Sequence, residues 1–77
     1  MRYFFDVGRE KLEMLDEEGS EFFSEAQMQS EARRILAEAA EAEARTRQCA
    51  VLTARVRDGS GTPVYRVVLT LEGQRLQ

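Results

Sequence analysis

The chain has 77 residues and a net charge of −3, and its hydrophobic and charged fractions of 43% and 32% are those of a folded soluble protein. It contains no His, no Trp and a single Cys, which excludes an internal disulfide, the catalytic sets that need His, and the usual zinc sites. A domain of this size buries only about 60% of the surface of its unfolded chain, so a partner chain would add useful burial.

The N-terminal segment is predicted to form two strands. Residues Arg2 to Val7 are rich in aromatic and β-branched side chains, and strand alternation puts Phe4 and Asp6 together on one face. A weaker strand is expected from Leu12 to Leu15, pairing back onto the first. The polar run from Asp16 to Gly19 is typical of a turn, in which the glycine supplies a positive φ.

A long helix is predicted from Glu25 to about Arg47, because this segment is rich in Ala, Glu, Gln and Arg and contains no Gly or Pro. Ser24 is suited to cap it, since Gln27 three residues later completes a capping-box pattern. The spacing of Phe23 and Met28 fits a hydrophobic staple, although the sequence leaves open which of the two phenylalanines before the cap enters the core. Apolar residues at helical spacing form the expected buried stripe: Met28, Ala32, Ile35, Leu36 and Ala39.

A hairpin around the segment from Asp58 to Pro63 is the strongest local pattern in the chain. Its strands are expected from Ala50 to Arg57 and from Val64 to Leu71, and a tight turn pairs even positions of the first with odd positions of the second. The predicted core face contains Ala50, Leu52, Ala54, Val56, Tyr65, Val67, Leu69 and Leu71. The opposite, mixed face contains Val51, Thr53, Arg55, Arg57, Val64, Arg66, Val68 and Thr70.

These elements predict an α+β fold in the order β-β-α-β-β, with a four-stranded antiparallel sheet and one long helix on one face. We expect one compact domain over residues 1–72 and a C-terminal tail over residues 73–77. A single helix covers only one face of such a sheet, so the other face is expected to stay open.

Several residues of the N-terminal half match a family pattern. They are the opening Arg2-Tyr3-Phe4-Phe5-Asp6, the turn Asp16-Glu17-Glu18-Gly19, then Phe22, Ser24 and the pair Glu31-Ala32. On these residues the chain resembles the small bacterial proteins grouped as domain of unknown function 6894. The resemblance implies the same order of elements and implies no reaction. Many members carry His where this chain has Asp6, so a role tied to that His would be absent here.

The open sheet face is the candidate interface, and the sequence allows two interpretations of it. Its expected members are Phe4, Val51, Thr53, Arg55, Arg57, Val64, Arg66 and Val68. The first hypothesis is a homodimer, because the valines of this face would otherwise be exposed in a small, thin domain. The alternative is a nucleic-acid-binding or regulatory module that uses the three arginines, and the acidic net charge counts against it.

The remaining polar residues are expected to have no catalytic or metal-binding role. The acidic run from Asp16 to Glu21 lacks the spacing of a calcium-binding loop and fits a solvated turn. Cys49, at the helix-to-strand junction, is expected to be an inert thiol. We therefore expect a cytoplasmic, non-catalytic binding or structural module without a cofactor or a membrane span, for which an unknown protein partner also stays open.

Overall fold

The structure, a computed structural model, describes residues 1–11 and 14–77. Its elements are β1 (Arg2–Gly8), β2 (Ser20–Glu21), α1 (Glu25–Ala44), β3 (Cys49–Arg57) and β4 (Pro63–Glu72). Within these residues the four strands form one antiparallel sheet in the spatial order β2-β1-β3-β4, and α1 packs against one face of it. The predicted α+β fold and its order of elements are confirmed.

The second strand lies later in the chain than the sequence predicts. Of the expected strand from Leu12 to Leu15, residues 12 and 13 lie outside the described part of the chain, and Met14 forms only an isolated bridge with Val7. The ladder with β1 is made instead by β2, five residues after the predicted strand.

A side chain occupies the edge of β1 between the isolated bridge and β2. The Asp16 carboxylate accepts a hydrogen bond from the backbone N–H of Phe5 at 3.1 Å, where a neighbouring strand would place a carbonyl. The turn then closes at Gly19, whose φ is +73° and whose backbone passes so close to Phe4 that a Cβ would lie 2.9 Å from the Phe4 ring. The predicted turn, with its positive φ at Gly19, is confirmed.

The helix begins as predicted but without the staple. The Ser24 hydroxyl accepts from the N–H of Gln27 at 3.2 Å, and the Gln27 side chain accepts in return from the N–H of Phe23. Phe23 is fully exposed, so the expected staple with Met28 is wrong, and Phe22 turns inward instead. The helix ends at Ala44 rather than near Arg47, because the chain after it folds into a turn.

The hairpin has the predicted register. Residue pairs such as Leu52 with Leu69 and Ala54 with Val67 lie directly opposite each other, on the face that α1 covers. One register shift, next to Arg57, interrupts the ladder near the turn. The sequence therefore predicted correctly which residues of this hairpin share a face.

The core lies between α1 and the covered sheet face. Its fully enclosed hydrophobic side chains come from β1, α1 and β3: Tyr3, Phe5, Met28, Ala32, Leu36, Leu52, Ala54 and Val56. The predicted core residue Leu69 is 38% exposed, because β4 is the edge strand of the sheet and has no neighbour on its outer side. Among the residues that the structure describes, no helix is long and apolar enough to span a membrane.

Candidate functional site

A buried ion pair lies on the sheet face opposite α1, which we call the open face. Asp6 has no exposed surface, and its carboxylate accepts two hydrogen bonds from the Arg57 guanidinium, at 2.6 and 2.9 Å. The pairing of β1 with β3 brings them together, since it sets Asp6 opposite Arg55 and Phe4 opposite Arg57. The sequence placed these side chains on one face but did not predict that Asp6 would be buried there.

Asp16 joins the same network from the loop before β2. Its N–H donates to Asp6 at 3.0 Å, and its carbonyl accepts from Arg57 at 2.8 Å. Its carboxylate accepts backbone hydrogen bonds from Phe5 and Gly19, each at 3.1 Å. Asp16 is half-buried, so this part of the acidic run is not the solvated turn that the sequence predicted. Both carboxylates tie the loop to the sheet.

The surroundings keep both carboxylates ionised. Hydrogen bonds from Arg57 lower the pKa of Asp6, against the opposing effect of burial. Burial raises the pKa of Asp16, but backbone N–H donors such as that of Gly19 outweigh it, and the pKa is lowered overall. A general acid at neutral pH needs a raised pKa, so the arrangement suits a structural role for the two groups.

These lowered pKa values predict loss of stability in acid. Aspartate titrates near 3.9 in an unfolded chain, so each group stabilises the fold fully above that pH and ceases to do so as the pH falls through its lower folded pKa. We expect the free energy of unfolding, measured with urea at constant ionic strength, to be nearly constant from about pH 7 to 5 and to fall below it. Asp6→Asn should make the fall shallower, and an unchanged pH slope in that variant would contradict the assignment.

The network also engages two residues of the candidate interface. The Arg57 guanidinium carbon lies 5.2 Å from the centroid of the Phe4 ring, within the range of a cation–π contact. Both side chains are half-buried, and the backbone of Gly19 lies against the Phe4 ring. Phe4 and Arg57 therefore make contacts within the chain, and their role in an interface stays a prediction.

The other six candidate residues form one continuous surface on the hairpin. This hairpin surface consists of Val51, Thr53, Arg55, Val64, Arg66 and Val68. Its three valines are 48%, 45% and 45% exposed, whereas Thr53 and Arg55 are half-buried. The structure thus brings these residues together as predicted, and their role as an interface stays a prediction.

The outer edge of β4 is a further feature, which the sequence analysis did not single out. Within the described part of the chain, neither Arg66 nor Glu72 has an oppositely charged group within ion-pair distance. Both are exposed and lie on the same face of β4. The predicted alternation placed Arg66 on this face, whereas Glu72 lay beyond the predicted strand, which ended at Leu71. Only the strand order shows that β4 is an edge strand.

A cleft of about 530 Å³ lies at the far end of the hairpin and includes Cys49. Its two arginines, Arg9 and Arg47, already form ion pairs with Glu43 at 3.5 and 3.7 Å. Cys49 is exposed, and its thiol lies 3.9 Å from the Gly73 carbonyl oxygen. Over residues 1–11 and 14–77, no group of three or more Asp, Glu, Cys or His side chains is arranged to hold a metal ion.

Comparison with protein families finds a match over residues 2–70 to a domain of unknown function (DUF6894). The match covers most of the chain, so the protein belongs to this family. Comparisons with curated proteins and with solved structures found no match.

Proposed function

We propose that this member of the DUF6894 family is a non-catalytic binding module that self-associates as a homodimer through its β3–β4 hairpin. The observation that supports this most strongly is the uncovered hairpin surface, which contains three valines each almost half exposed and includes the edge strand β4. Small domains rarely leave such surface uncovered on a strand that can still accept a neighbour.

The charges of β4 favour a second copy of this chain as the partner. Arg66 and Glu72 lie on one strand and one face, and neither has an ion-pair partner among the described residues. A two-fold axis between two copies brings the arginine of each to the glutamate of the other. The pattern is therefore self-complementary, as a homodimer requires.

The composition and the buried network support a non-catalytic role. The chain has no His, and the two carboxylates with the most protected surroundings, Asp6 and Asp16, are held ionised by Arg57 and by backbone donors. These groups stabilise the loop and the sheet, which leaves the surface of the hairpin as the feature that a partner can contact.

The nucleic-acid alternative has less support than the homodimer. Arg57 is engaged with Asp6, and Arg55 is half-buried, so only Arg66 of the three arginines is freely exposed. The net charge of −3 also repels a phosphate backbone. Binding to single-stranded RNA in low salt that Arg66→Glu abolishes would favour the alternative.

A change at Val68 tests self-association. Val68 lies on β4 and is 45% exposed, so a glutamate there places a charge against the second copy without filling or emptying the core. We expect the wild type to have twice the mass of one chain by size exclusion with light scattering at about 100 μM, and Val68→Glu to shift towards the monomer.

The matched control for that experiment is Phe23→Glu. It replaces another exposed hydrophobic residue by the same charge, next to β2, which forms the sheet edge opposite β4. This variant should retain the mass of the wild type. A wild type that is monomeric at about 100 μM would contradict the proposed function.

A further inference from the structure

We infer that the two copies join edge to edge, with β4 of each chain pairing antiparallel to β4 of the other about a two-fold axis at Leu69. In this arrangement Arg66 of one chain lies opposite Glu72 of the second copy, and the two sheets become continuous. The inference rests on the proposed self-association and specifies its geometry.

The first support is the unprotected edge of β4. This strand has ten residues and ends the sheet, so no strand of the described part of the chain pairs with its outward N–H and C=O groups. Proteins blunt such edges with proline, bulges or charges. Here Pro63 and the register shift beside Arg57 protect only the beginning of the strand, while residues 65–72 pair with β3 without interruption and contain no proline.

The second support is a pair of charges, those of Arg66 and Glu72, that have no ion-pair partner among residues 1–11 and 14–77. Arg66 lies directly opposite Arg55 on β3, and like charges in that position destabilise a sheet. Glu72 lies opposite Cys49, so it gains no ion pair across the ladder. The two groups are about 20 Å apart along β4 and cannot meet each other within one chain.

The third support is the register that these charges select. Because side chains alternate along a strand, a two-fold axis perpendicular to the sheet places open-face residues of one copy beside open-face residues of the other. This condition excludes every register that would set an open-face residue opposite a residue on the helix side. The register centred on Leu69 sets each Arg66 opposite a Glu72. A register centred on Val68 would set Arg66 opposite Thr70, and one centred on Arg66 would bring two arginines together.

The same register covers the apolar edge that α1 leaves exposed. Leu69, which is 38% exposed, meets its own copy at the axis, and the half-buried Val67 meets Leu71. All three side chains point to the helix side of the sheet. Edge pairing thus buries apolar surface on one side and forms two ion pairs on the other.

A charge exchange tests this geometry. Arg66→Glu or Glu72→Arg alone turns two attractive cross-strand pairs into two repulsive ones, and each is expected to raise the dissociation constant of the dimer at least about ten-fold. The double variant restores both pairs in reversed orientation and should return the constant to within about three-fold of the wild type. Sedimentation velocity over a dilution series provides the constants.

Two controls keep the outcomes distinct. Arg66→Glu relieves the repulsion with Arg55, so its melting temperature as a monomer should not fall, which separates weak association from poor folding. Val51→Glu lies on the interior strand β3, so it disrupts only a dimer that stacks the open faces and should leave edge pairing intact.

Recovery in the double variant together with a dimeric Val51→Glu protein supports edge pairing. A dimer that Val51→Glu dissociates, or that the single charge variants leave unchanged, overturns the edge geometry while the proposed self-association stands. A wild type that is monomeric at every concentration overturns both.

Discussion

Replacing Asp6 with Asn is expected to lower the free energy of unfolding by about 3 kcal/mol, because it leaves a partly buried guanidinium without its counter-charge. Arg57 donates two hydrogen bonds to this carboxylate, at 2.6 and 2.9 Å, and Asp6 has no exposed surface through which water could compensate. This loss is a large fraction of the free energy of unfolding expected for a domain of this size. Urea unfolding at pH 7, followed by circular dichroism, measures it.

Glu17→Gln is the matched control for this prediction. It removes one negative charge from the acidic run near the same network, but Glu17 is exposed and forms no side-chain hydrogen bond with the described residues. Its effect should stay within about 0.5 kcal/mol. Equal effects of Asp6→Asn and Glu17→Gln would show that the ion pair does not stabilise the loop and the sheet.

Leu36→Ala is expected to lower the free energy of unfolding by about 3 kcal/mol, within the range for buried leucines. Leu36 is fully buried where α1 crosses β3, and it packs with Leu52 and Ala54. The molecule measures 50 × 22 × 16 Å, and so thin a core has no second layer that could collapse into the cavity. Urea unfolding monitored by circular dichroism again gives the value.

Leu76→Ala makes the same chemical change in the C-terminal segment, where the side chain is exposed. It should change the free energy of unfolding by less than about 0.5 kcal/mol. If Leu36→Ala were no more harmful than this control, the packing of α1 on the sheet would not be what stabilises the fold.

The helix stripe and the hairpin faces could be predicted from the sequence because each depends on a short-range period. Met28, Ala32 and Leu36 recur at helical spacing, and all three are buried. In the hairpin, alternation and one turn fix which residues lie opposite each other, and burial of one face leaves a single register. These local rules do not depend on how distant segments meet.

The buried network could not be predicted in the same way. Asp6 and Arg57 are 51 positions apart, and their contact depends on β3 lying next to β1. The position of β2 depends in turn on Asp16, whose side chain bonds to β1 in place of a strand. The assignment of Asp6, Arg55 and Arg57 to one face contained a hint, since an acid among arginines on a shared face favours an internal ion pair.

The candidate interface illustrates the same limit. The sequence grouped Phe4 and Arg57 with the hairpin residues because all of them share the open face. In the structure Arg57 binds Asp6 and contacts the Phe4 ring, so both residues belong to the network around Asp6. The valines of the hairpin surface remain exposed. Which residues share a face follows from periodicity, whereas which of them are available to a partner follows from packing.

Amide hydrogen exchange along β4 tests self-association by edge pairing most directly, when measured from about 1 to 300 μM protein. In a single chain only the amides that point to β3 are protected, so protection alternates along the strand. We predict this alternation at low concentration and continuous protection over residues 66–72 at high concentration. Alternating protection at every concentration would contradict the account.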